Sequence, residues 1–273
     1  MGKHLILLAF VLGLCFQTRT VNAQHPPVFE GMKTDSTKLQ ISDLSLNLVK
    51  YSYGGSNVRF LTIHDDEDTG VKAAFDYIQT NGGSIVDCQY GSVRNFRFTF
   101  ETDQYQVDPN AIYTKEGVKL GLQKYSDIIS NRAMKLLMDA GEEILKAYNY
   151  KDHDYFITLH NNADGGFGIN SYLKGYDLES TADSVHVNFE MDSDDLIYVT
   201  DVRLFNYIKK HNINVILQSK NALNDGSMSV FAQKHNIPYI NVEVQHGHRD
   251  EHLRLLSFAV EAMRSIGKIK DDE

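Results

Sequence analysis

Seven short runs rich in β-branched and aromatic residues, at 58–63, 84–90, 96–100, 155–159, 196–200, 214–218 and 239–244, most restrict what this chain can fold into. Their near-continuous apolar character is that of strands covered on both faces, because a strand with one wet face alternates polar and apolar residues. Between them lie stretches of helical periodicity at 70–80, 126–148, 202–211 and 252–266. In the last of these, Leu253, Leu256, Ala259, Val260 and Met263 recur every three or four residues. Strands alternating with helices predict an α/β fold: a twisted, mixed but mostly parallel sheet with helices on both faces. At 273 residues, 42% of them hydrophobic, the chain can fill one large core of this kind. No repeat or linker divides it, so 46–273 reads as a single domain. A polar segment at 24–45, with Pro26 and Pro27, reads as a loose approach to it. The glycine- and acid-rich stretch 162–195 reads as an extended insertion that can cover a site.

The first 23 residues have the pattern of a secretory signal peptide. Lys3 and His4 precede an apolar run at 5–16, and Val21-Asn22-Ala23 offers a cleavage site after Ala23. A spanning helix needs about 20 apolar residues, so this run is too short for a stable membrane span. The expected location is therefore secreted or periplasmic. Loss of the leader leaves Cys88 as the single cysteine, which excludes an intramolecular disulfide; its apolar strand marks it as a buried structural thiol. The whole chain carries 27 Lys and Arg against 36 Asp and Glu, a net charge of −9, and the leader removes two basic residues and no acid. Such a surface repels phosphate backbones and excludes a nucleic-acid partner.

Chemistry concentrates where apolar strands end. The run Phe60-Leu61-Thr62-Ile63 stops at His64, and Glu67 follows just before a helix. Ligand sites in open α/β sheets gather beyond the carboxyl ends of strands. A His and a Glu three residues apart across such a turn can face one ion. Zinc favours imidazole nitrogen and carboxylate oxygen, and a catalytic site uses three protein ligands and an open position. The run Tyr155-Phe156-Ile157-Thr158-Leu159 also ends in a histidine, His160, followed by Asn161. The alternative for both histidines is a hydrogen bond to a neighbouring loop. In Tyr239-Ile240-Asn241-Val242-Glu243-Val244 a lone acid sits among apolar residues. Burying it costs several kcal/mol unless it is paired, near a metal, or used as a general base.

This order of His-x-x-Glu, strand-terminal His and strand-borne Glu resembles the zinc carboxypeptidase superfamily, including its succinylglutamate desuccinylase and aspartoacylase branch. The resemblance spans roughly residues 58–250. It implies a twisted mixed sheet of about eight strands, one zinc ion held by His64, Glu67 and His160, and Glu243 as general base and acid. It also matches Asn110 to the substrate-binding segment, where Ala111 stands in place of the family's arginine. Arg94 is the expected carbonyl-polarising group, with Arg97 as a second arginine nearby; Asn161 and His246 are further candidates for substrate contact. The implied activity is hydrolysis of a peptide or an N-acyl amino acid. Ala111 also leaves open a non-catalytic binding relative that keeps the zinc cage. Three competing motifs read as structural: 246–252, rich in histidine, as a solvated helix start; Ser227 as a helix cap; and 192–195 as a solvated acidic loop.

Overall fold

The computed structural model describes residues 25–126 and 128–270. The expected signal peptide lies outside the described residues. The chain opens with a hairpin of β1 (Lys33–Ile41) and β2 (Leu44–Tyr53), then β3 (Arg59–Thr62), α1 (Asp68–Asn81) and β4 (Gly83–Gln89). Next come β5 (Phe96–Phe100), β6 (Asp103–Val107), α2 (Lys115–Tyr125), α3 (Asn131–Tyr148), the single turn α4 (Tyr150–His153) and β7 (Phe156–Asn162). The last third holds β8 (Ala182–His186), β9 (Leu196–Val199), α5 (Val202–Lys210), β10 (Val215–Gln218), α6 (Met228–Lys234), β11 (Tyr239–Gln245) and α7 (Arg249–Ser265). No helix among the described residues is long and apolar enough to cross a membrane.

Nine strands form one sheet in the order β1-β2-β4-β3-β7-β11-β9-β10-β8. It is an α/β sheet with helices on both faces, as the alternation predicts, but it exceeds eight strands and is not mostly parallel. The pairs β3–β4, β3–β7, β7–β11 and β9–β10 are parallel. The pairs β1–β2, β2–β4, β9–β11 and β8–β10 are antiparallel. The parallel block is central, where apolar runs are covered on both sides. The antiparallel additions come mostly from segments with weaker apolar signals.

β5, expected as an inner strand, pairs only with β6 in a separate two-stranded sheet. Its alternation of buried Phe96 and Phe98 with exposed Arg97 and Thr99 explains why: one face is wet. The N-terminal segment is not loose. Six residues of β1 in succession are exposed, so its sequence carries no apolar stripe to mark a strand. Phe29 ahead of it packs edge-on against Tyr53 and Phe75.

Strand parity divides the core into two layers. Ile157 and Leu159 of β7 and Ile240, Val242 and Val244 of β11 point to the side covered by α1, α5 and α7. Phe156 and Tyr239 point to the side covered by α2, α3 and α6. On this second side the α2 backbone meets the loop ahead of α6 at very close range. A Cβ on Gly117 would lie 2.0 Å from the Gly226 Cα, and Gly226 itself has φ +82°. Neither backbone can yield as a flexible side chain could. Gly117→Ala is therefore expected to lower stability by about 1–3 kcal/mol, the range for overpacking, read as a fall in the denaturation midpoint.

Candidate metal centre

The three central parallel strands, β3, β7 and β11, are neighbours, and their carboxyl ends carry the chemistry. Glu243 is level with His160 in the β11–β7 register, and Leu61 is level with Thr158 across β3–β7. The chain leaving β3 therefore delivers His64 beside His160. The Glu67 amide bonds back to the His64 carbonyl at 3.3 Å, which folds the His-x-x-Glu turn, and Glu67 then sits at the N-cap of α1.

The three side chains meet. His64 Nδ1 lies 3.0 Å from Glu67 Oε1, and His160 Nδ1 lies 2.9 Å from Glu67 Oε2. The two Nδ1 atoms are 3.1 Å apart. One ligating atom from each residue falls within 4.8 Å of the others. Two imidazole nitrogens turned on each other and on one carboxylate leave too few protons to satisfy every lone pair. The same triangle suits a divalent cation, since donors at 2.0–2.2 Å around a tetrahedral zinc lie about 3.3 Å apart. The donor set and its spacing therefore fit a zinc-like ion.

His64 Nε2 faces Asp108 Oδ1 at 2.8 Å, so Asp108 holds the proton on that nitrogen, and a metal ion that displaced the Nδ1 proton would meet the Nδ1 lone pair. Asp108 is a supporting group that the sequence reading did not assign, although it stands two residues before Asn110. Burial opposes protonation of His64, but Glu67 and Asp108 outweigh it and raise its pKa to about 9. Burial would likewise push the Glu67 carboxyl up; the two imidazoles hold it well below the ordinary carboxylate range. Asp108, also opposed by burial, is brought down to about 2 by the His64 hydrogen bond and charge. Both carboxylates thus stay ionised against cationic neighbours, and a bound metal ion would take the place of the imidazole protons.

A cleft of about 540 Å³ is lined by Arg94, which bonds Glu67, and by Glu243, level with His160, together with Asn110, Tyr172, Tyr198 and Tyr239; the three triad side chains are not themselves in its lining. Glu243 is oriented by a chain of bonds along one face of β7 and β11. Thr158 Oγ1 donates to Asn241 Oδ1 at 3.2 Å, and Asn241 Nδ2 donates to Glu243 Oε2 at 3.1 Å. Burial pushes the Glu243 carboxyl up, with His160 pulling the other way. Arg94 donates to Glu67 Oε1 and keeps its Nε 3.8 Å from Asp108 Oδ2. It is the one cationic side chain among the described residues lining the cleft. Residues of the 162–195 stretch, among them Phe167, Tyr172 and Leu178, form one wall.

Three expected site residues lie elsewhere or are otherwise engaged. Arg97 is exposed on β5 and lines a different cavity with Asp43 and Gln106. His246 is largely exposed and pairs with Asp68 at 3.3 Å, outside the cleft lining. Asn161 touches the cleft, but its Oδ1 accepts from the Gly70 amide at 3.3 Å and its Nδ2 donates to the Val244 carbonyl at 3.2 Å. Asn110 does line the cleft, and its Oδ1 accepts from the Met228 amide at 3.0 Å, capping α6.

Of the competing motifs, Ser227 is a helix cap, accepting from Val230 N, and Cys88 is buried with its thiol pushed up by that burial. The 192–195 loop is not simply solvated. Asp194 and Asp195 are buried and accept from the Gly165 and Gln245 amides. His252, at the end of the histidine-rich run, is buried rather than solvated. Desolvation lowers its pKa to about 3.

No family model matches the chain. No curated protein matches it either. Solved structures with a likeness include a candidate metallopeptidase from Shewanella denitrificans OS217, at 13% identity and TM-score 0.42, covering 85% of this chain and 84% of that one. A candidate metallopeptidase from Shewanella baltica OS155 aligns at 11% identity and TM-score 0.41, covering 85% and 86%. An aspartoacylase family protein from Mesorhizobium loti aligns at 12% identity and TM-score 0.38, covering 93% and 71%. All three overlaps are loose.

Because Asp108 holds the proton on His64 Nε2, Asp108→Asn is expected to weaken binding of a divalent metal at this candidate site about 10- to 100-fold. Competition against a chelator of known affinity measures this directly, with the fold checked by circular dichroism.

Proposed function

We propose that the chain is an exported, zinc-dependent amide hydrolase acting on a peptide or an N-acyl amino acid. The observation that carries this reading is the buried meeting of His64 Nδ1, His160 Nδ1 and Glu67 next to Arg94 and Glu243, which line a cleft. His64, Glu67 and His160 would hold one zinc ion, which would supply Lewis acidity and lower the pKa of an attacking water to about 7. Glu243 takes the proton from the attacking water and returns it to the leaving nitrogen. Its raised pKa suits both halves of that task, since a base that is too weak could not accept the proton at all. Asn241 and Thr158 hold the carboxylate in place. Arg94, which already lines the cleft, would stabilise the oxyanion. Export follows from the leader pattern at 1–23, with cleavage after Ala23.

A second reading, a non-catalytic zinc-containing relative, draws on Ala111 and on Arg94 being the one cation of the cleft lining. A substrate carboxylate and a developing oxyanion would then compete for a single guanidinium. Metal content combined with hydrolysis of a panel of blocked and unblocked peptides separates the two. One equivalent of zinc with turnover supports the hydrolase. Zinc with no turnover supports the binding relative, and no zinc uptake removes both.

Glu243→Gln is expected to keep the zinc and lose about 10²- to 10⁴-fold in kcat, the range for a general base. In the wild type the base must be ionised. Activity should therefore fall as pH drops through the raised Glu243 pKa, giving an acid limb above the ordinary carboxylate value. A pH profile of kcat/KM reads the limb, which should disappear in the variant's residual activity.

A further inference from the structure

His25 stands between two buried carboxylates. Its Nε2 lies 3.1 Å from Asp65 Oδ1 and its Nδ1 lies 3.2 Å from Asp87 Oδ2; both aspartate side chains are 1% exposed and the ring 27%. Two buried carboxylates on adjacent strand ends repel each other unless a cation lies between them. The contacts with Asp65 and Asp87 raise the His25 pKa to about 10, so the ring is that cation at neutral pH. The segment carrying it is stiffened by Pro26 and Pro27 and anchored where Phe29 packs on Tyr53 at 5.2 Å between ring centroids.

The far side of this cluster is the metal centre. Asp65 lies between His64 and Glu67 in the chain. Its other oxygen, Oδ2, accepts from the Tyr90 amide and, at 2.7 Å, from the Ser92 amide. The Tyr90 hydroxyl accepts from the Asp65 amide at 3.3 Å and reaches the carbonyls of Ile63 at 3.0 Å and Arg94 at 2.8 Å. Asp87 takes the Thr62 hydroxyl at 2.7 Å, at the end of β3. A set of hydrogen bonds thus runs from Asp65 through Tyr90 to both sides of the ligand turn and to the loop of Arg94, and His25 joins it through its ion-pair contact with Asp65.

We propose that His25 is a positioning residue: the N-terminal segment is a strap whose imidazole locks the Asp65–Tyr90 network and so fixes the His64–Glu67 turn and the Arg94 loop. The catalytic consequence rests on the proposed zinc site, whereas the local ordering does not. The test compares full-length wild type, His25→Gln and His25→Arg by hydrogen exchange and by zinc competition. In His25→Gln, amides in 62–70 and 88–97 should exchange at least 10-fold faster, with 131–148 unchanged. Zinc affinity should fall at least 10-fold, and kcat should fall with KM little altered. His25→Arg, whose guanidinium can span both carboxylates, should restore much of the protection and affinity. If His25→Gln fails to fold, adding Asp87→Asn removes one buried charge and permits the same comparison. Unchanged exchange in the two segments, or faster exchange spread evenly over the chain, overturns the strap. Faster local exchange with unaltered zinc affinity also overturns it, by cutting its link to the ligands. A wild type that takes up no zinc refutes the metal reading, and exchange alone then decides the strap.

Discussion

Two imidazole nitrogens and the two oxygens of one carboxylate, in contacts of 3.1 Å or less beside the ends of adjacent strands, are the feature around which the rest of the molecule is arranged. The His64, Glu67 and His160 side chains are 0–5% exposed, so water does little to solvate their charge or their unused lone pairs. Burying such a group is costly unless each polar atom finds a partner. The partners here are one another, Arg94 and Asp108, and the set still invites a cation. The parallel block of β3, β7 and β11 makes this possible, because parallel strands bring three carboxyl ends to one edge.

Around that point the chain builds outward in layers of restraint. Asp108 sets a tautomer, Asn241 aims a carboxylate, and the Asp65–Tyr90 network ties the ligand turn to the loop of Arg94. Residues from α1, β7, β11 and the stretch after β6 all contribute, so the site depends on the assembled sheet rather than on any local segment. The cleft above is mixed in character, with tyrosines on its walls and Arg94 as the cation of its lining. That lining accommodates an uncharged amide more readily than a substrate rich in anionic groups.

What the sequence displayed and what it concealed follow from strand parity and burial. All seven apolar runs form strands, and six of them lie in the main sheet, where burial on both faces writes itself as continuous hydrophobicity. His64 and His160 were visible because each stands at the end of such a run, and Glu67 because it follows His64 by three residues just before a helix. Parity explains the misplacements. Asn161 follows His160 directly and so points to the opposite face of β7, where it bonds Gly70 and Val244. Arg97 lies between Phe96 and Phe98 and so takes the wet face of β5. The same rule applied to β11 would have found Asn241, two residues from Glu243 and on its face. Strand β1 was hidden because it is exposed along most of its length, and only its pairing with β2 makes it a strand. His25 left no local signal at all, since both its partners come from distant strand ends.

The most direct measurement is a crystal of the zinc-loaded protein with anomalous scattering recorded on both sides of the zinc edge. The account predicts one strong peak about 2.0–2.2 Å from His64 Nδ1, His160 Nδ1 and a Glu67 carboxylate oxygen. A map from zinc-saturated crystals with no peak among these atoms, or with the metal bound only at another cluster such as Asp192, Asp195 and His248, would contradict it.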